Sequence, residues 1–259
     1  MTLYSEKHMR YLKSDKLYCF SPPVMLATFI IEIIAALYVV FRFKMTPVSR
    51  LATGILLGLA TFQLAEYNVC EGAWGVDSLT WARIGYVAIT LLPPLGLHLA
   101  TKIAGRQEKA MVAGGYVAAA VFSSIFLFVG HGMGSQECLG NYVIFKIAHW
   151  ATIPYAIYYY GLLLLTVGYA FQAAKGMKNA FKASALKYLA IGYMAFIVPT
   201  TAANLIDPTT LAGIPSIMCG FAVILAIILA AVVIPKYYEA GQFVGSTKLR
   251  YHKSNDGTS

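Results

Sequence analysis

The chain has 259 residues, of which 59% are hydrophobic and only 12% charged, with a formal net charge of +9. A mean hydropathy of +0.66 leaves too little charge to cover the surface of a soluble domain of this length. The basic residues sit in short links between apolar runs, the distribution of topology-setting charges, so nucleic acid is excluded as a partner.

A polar leader, residues 1–23, precedes the first apolar run, Val24 to Phe43. A cleaved signal peptide would place its apolar stretch earlier, so this run reads as a true span. The later runs are Leu51 to Val69, Thr80 to Thr101, Ala110 to Gly130, Tyr142 to Ala174, Ala183 to Ile206 and Gly213 to Ile234. Each matches the roughly 20 residues that a helix needs to cross a bilayer. The fifth exceeds that length and is expected to tilt or protrude. Backbone amides in lipid must be satisfied locally, so the fold class is all-α, a polytopic seven-transmembrane bundle. Pro93, Pro94, Pro154 and Pro199 fall inside spans, where neighbouring helices are expected to satisfy the carbonyls they free.

Orientation follows from lysine and arginine. Arg42, Lys44 and Arg50 flank the first link, Lys102, Arg106 and Lys109 the third, and Lys175, Lys178 and Lys182 the fifth. Lys236, Lys248, Arg250 and Lys253 follow the last span, whereas the even links hold only Arg83 and Lys146. The expectation is an outside N-terminus, a bundle over 24–234, and a basic cytoplasmic tail over 235–259, in the cytoplasmic (inner) membrane of a cell. One segment runs against it, the mildly basic leader with Lys7, Arg10, Lys13 and Lys16. The membrane lipids are then partners through the basic face.

In that orientation Cys70 and Cys138 both lie outside, where a disulfide would tie the second span to the long fourth link. Cys19 lies on the same side, and spacing alone leaves it as a rival partner for either.

Ionisable groups within spans are costly and tend to mark functional interiors. Counted from the predicted span ends, Glu32, Glu66, Arg83, His149, Asn204 and Asp207 gather in the outer half, with several aromatic side chains. Such a set suits a small apolar or amphipathic ligand. Structural roles compete: an Arg83–Glu66 pair, an interhelical Asn204, and Asp207 before Pro208 as a turn starter. No cofactor is implied. His98 lies near the inner end while His149 lies in the outer half, so the two cannot share a haem. Span seven holds no lysine for a retinal Schiff base, zinc spacings are missing, and no hydrolase or phosphate-loop motif appears, so an enzyme is not expected.

The run Trp81-Ala-Arg-Ile-Gly-Tyr-Val leads into Leu92-Pro-Pro-Leu-Gly-Leu-His98, and Ile214-Pro-Ser-Ile217 opens span seven, which exits through Pro235-Lys-Tyr-Tyr238. With Asn204, these resemble the N-terminal seven-helix sensor region of bacterial histidine kinases, over roughly residues 24–240. The resemblance implies a signal-input domain. Only residues 239–259 follow the exit, with no kinase, so it implies signalling to a separate protein partner. The expected function is a non-enzymatic sensor or receptor. A structural or accessory subunit of a larger membrane complex is the alternative, and a small-solute transporter the third reading, disfavoured by the lack of an internal repeat.

Overall fold

The computed structural model describes residues 21–130, 132–138 and 143–241. Cys19, His131, Tyr142, most of the leader and most of the tail lie outside the described residues. Among those described, seven helices are long and apolar enough to cross a membrane. They are α1 (Pro22–Arg42), α2 (Pro47–Glu71), α3 (Ser78–Ala104), α4 (Lys109–Phe128), α5 (His149–Lys175), α6 (Ala180–Ile206) and α7 (Ile214–Gly241). The all-α seven-helix bundle read from apolar length is the observed architecture.

Helix boundaries follow local chemistry. The side chains of Thr46, Asp77 and Asn179 accept backbone N–H bonds from Ser49, Thr80 and Lys182 at the starts of α2, α3 and α6, each satisfying one orphan donor. α3 ends at Gly105, whose φ of 70° lets its N–H reach Lys102 O while Arg106 N–H reaches Thr101 O. A side chain would strain that left-handed turn.

The short links place the basic residues at one end, which we call the basic end. The other end carries a feature that span-length reasoning missed. Strands β1 (Met133–Cys138) and β2 (Val143–Ile147) form an antiparallel hairpin, pairing Met133 with Ile147 and Cys138 with Val143. The fifth span therefore starts at His149, and the excess length read as tilt is a strand. The apolar run Val143–Ile147 fits helix or strand by hydrophobicity alone. Its alternation, with Val143 and Phe145 buried and Lys146 exposed, is the period of a strand. The hairpin lies across this end of the bundle, with Phe145 against Phe62 of α2 and Tyr86 of α3 at ring-centroid distances of 5.6 and 5.4 Å. A Cys70–Cys138 disulfide ties it to the end of α2.

α2, α3 and α7 are the most deeply packed helices and α4 the least. Pro94 removes the N–H that would bond Thr90 O, and the Tyr158 hydroxyl of α5 donates to that carbonyl at 2.6 Å. Tyr155 bonds the Thr90 hydroxyl at 3.0 Å. The proline thus creates an α3–α5 bond instead of a defect. α7 continues past Ile234, where the seventh apolar run ends, to Gly241. A π turn at Leu229–Val233 precedes Pro235, and its wider backbone relieves the clash between a proline ring and the preceding carbonyls.

Candidate functional site

On α1, Met25, Thr28, Glu32, Ala35, Ala36 and Val39 make one buried face, the 3–4 spacing of a helix side turned to its neighbours. Glu32 is therefore drawn inward by the apolar residues around it. It is 0% exposed, and neither carboxylate oxygen has a hydrogen-bond partner. On α2 the same spacing buries Leu59, Phe62, Gln63 and Glu66. Glu66 lies beside the Ser216 hydroxyl near the start of α7. The Ser216 oxygen accepts the Val143 N–H at 3.2 Å, so this residue sits between a buried carboxyl and the hairpin.

Glu32 and Glu66 lie within electrostatic reach of each other, and Cys219, one turn beyond Ser216, is within reach of both. Gln63 is buried with its Nε2 unpartnered. Among the described residues neither carboxylate is paired with a basic side chain. Buried carboxyls without a full set of partners cost several kcal/mol, on the order of 2–7 for a polar group left unpaired. Stability alone gives no reason for them.

The other four sequence candidates stand apart from this pair. Arg83 is half-buried on α3 with its Nε unpartnered. Its charge acts on Asp77, whose exposed carboxyl is held below its usual range first by hydrogen bonds from the Thr80 hydroxyl and N–H. Asn204 is half-buried and accepts from the Thr210 hydroxyl at 3.5 Å. Asp207 is exposed and accepts the Thr209 N–H at 3.0 Å, starting the 3-10 turn Pro208–Gly213. His149 is exposed at the first turn of α5. Five of the six lie toward the hairpin end and Glu32 lies at the middle of α1; only Glu32 and Glu66 are both fully buried and within electrostatic reach of each other. Counting residues from a span end gives depth but not direction around the helix axis.

Beside the pair lies a cavity of about 410 Å³, floored by Tyr86, Ile89, Phe145, Tyr155, Tyr159 and Met218. None of the six sequence candidates lines it. Tyr86 also lies within electrostatic reach of Glu66 and Cys219, so it borders both features. Sequence reasoning missed Gln63, Tyr86, Ser216 and Cys219. The signal for the last two was available, as a serine and a cysteine one turn apart at the head of the most apolar span.

α7 also reaches the opposite end. There the Tyr238 hydroxyl donates to Lys44 O and lies 3.0 Å from the Ser49 hydroxyl, which itself donates to Lys44 O at 2.9 Å. One helix is thus bonded to the hairpin through Ser216, beside the buried Glu66, and to the α1–α2 link through Tyr238. No protein-family model matches this chain, and a search of curated proteins finds no match.

Proposed function

We propose that the protein is a seven-helix membrane sensor, not an enzyme, that takes a small ligand in the hairpin-end half and passes the change along α7 to a separate partner at the basic end. The observation that carries this reading is the double attachment of α7. Ser216, beside Glu66, bonds it to the hairpin at one end, and Tyr238 bonds it to the α1–α2 link at the other. A ligand that favours one arrangement of Ser216 shifts α7 only by its differential affinity for the two states. The resemblance to kinase sensor regions agrees with this use. The basic residues at one end against Arg83 and Lys146 at the other support an outside hairpin end and a cytoplasmic α7 exit, in the inner membrane.

The coupling is testable without a ligand. Ser216→Ala removes the bond to the hairpin and the hydroxyl beside Glu66. Amide exchange at 46–50 and 235–241 is expected to rise about fivefold, the low end of typical coupling free energies, with α4 unchanged as an internal reference. Loosening confined to the hairpin would leave that end a structural cap and contradict the sensor.

A second reading, an accessory subunit of a membrane complex, is favoured by α4. Its outer side exposes Ala113, Gly114, Val117, Ala120, Val121 and Ser124, a small-residue face suited to close helix packing.

A further inference from the structure

The 410 Å³ cavity has a chemistry specific enough to name a ligand class. Its floor is buried, while Thr152 and Ala156 of α5 and Leu211 of the 3-10 turn are exposed at its mouth. Ala156 lies seven residues into α5, about 10 Å along the helix axis at 1.5 Å per residue. On the Ala156 side the mouth thus reaches a depth where a spanning helix meets hydrocarbon, while Thr152 and Leu211 lie nearer the end of the bundle. A molecule dissolved in lipid reaches it without crossing the hairpin.

Charge is nearly absent from the wall. The lining contains no carboxylate, so an organic cation finds no counter-charge. Its one charged side chain, Lys146, is exposed and lies on β2 rather than the floor. Lys146 is moreover already engaged in another interaction, so an anion finds no free counter-charge and the occupant is neutral. The floor is dominated by flat aromatic faces, with Ile89 and the soft Met218 filling the gaps, which favours a ring-containing body.

Hydrogen-bond donors sharpen the class further. Tyr155 is bonded to Thr90. Tyr86, Tyr159 and Tyr160 also line the cavity, and each brings a hydroxyl that can donate to an occupant. A hydrocarbon chain would strip these hydroxyls of water and return no hydrogen bond. An occupant with a carbonyl or hydroxyl oxygen accepts from at least one of them. The volume lies in the lower part of the roughly 300–1,000 Å³ range of small-molecule pockets.

We infer that this cavity binds an uncharged, flat, ring-containing apolar molecule bearing a carbonyl or hydroxyl oxygen, admitted laterally from the membrane past Ala156. The inference rests on the reading that the hairpin-end half receives a ligand, and adds the chemistry of that ligand.

Benzophenone, a neutral two-ring ketone that inserts into nearby C–H bonds on illumination, is a suitable probe for the full chain in lipid nanodiscs. Saturable labelling of peptides containing 152–160 and 214–218 is expected. Diphenylmethane, of similar shape without the oxygen, should compete about tenfold more weakly, a difference of about 1.4 kcal/mol. Ala156→Trp, at an exposed position that a large side chain can occupy without disturbing the core, should abolish the labelling. Tyr159→Phe should weaken it several-fold. Unsaturable labelling of the lipid-facing Ile153 and Ile157, unchanged in Ala156→Trp, would overturn the site. Equal competition by diphenylmethane would overturn the oxygen requirement. Because the Ser216→Ala exchange experiment uses no ligand, failed labelling with intact end-to-end coupling rejects this ligand class, whereas labelling without coupling rejects the sensor.

Discussion

Replacing Cys70 and Cys138 together by serine is expected to lower stability by about 2 kcal/mol and to release the hairpin. The disulfide spans a sequence separation of 68, and closing a loop of that size in a random chain gives about 4 kcal/mol of stabilisation. That figure is an upper bound here, because helices in a bilayer or micelle persist when tertiary packing is lost. Thermal unfolding in detergent, under non-reducing conditions, reads the change. The hairpin carries Phe145 against Phe62 and Tyr86 and Val143 N–H against Ser216, so its amides should exchange faster as well. An unchanged midpoint would mean that packing alone holds it. The single variant Cys70→Ser, made in a Cys19→Ala background, also tests orientation. It frees the exposed Cys138 thiol, which a membrane-impermeant maleimide should label on intact cells if the hairpin end faces out.

Gly96→Ala is expected to destabilise the α3–α6 contact by about 1–3 kcal/mol, the usual range for an overpacked core. A Cβ built at Gly96 would lie 1.7 Å from the Tyr193 hydroxyl oxygen and 2.6 Å from the carbon that bears it. Tyr193 is 2% exposed, so its ring has no open space to enter and the helices must separate. Tyr193→Leu alone leaves a cavity and also destabilises, by about 2 kcal/mol or more on the scale of large-to-small core changes. Combined, each relieves the defect of the other, and the double variant should be more stable than the sum of the two losses predicts. Strict additivity in thermal unfolding would show that the two residues do not meet.

The legible and illegible parts of this fold divide along physical lines. Seven spans could be read because 20 apolar residues have one stable arrangement in lipid, and the tyrosines of α5 could be expected to serve proline-freed carbonyls, as Tyr158 does for Thr90. The strand Val143–Ile147 could not be separated from the helix that follows it, since an apolar run carries little period when both structures would bury it. Pro235 looked like the end of span seven, but the π turn before it lets the helix run on to Gly241. Glu32 and Glu66 were recognisable singly by their cost. That both turn inward, within electrostatic reach of each other, depended on rotations of α1 and α2 that residue counting does not supply. The cavity was invisible for the opposite reason, being built from tyrosines, isoleucine and methionine that carry no cost and so draw no notice.

The most direct measurement is native mass spectrometry of the full chain released from membranes in a mild detergent. A sensor with its ligand site at the hairpin end predicts one neutral small molecule bound per chain, and its absence from an equally stable Ala156→Trp variant. A chain carrying no such molecule, or the same adducts in both proteins, would contradict it.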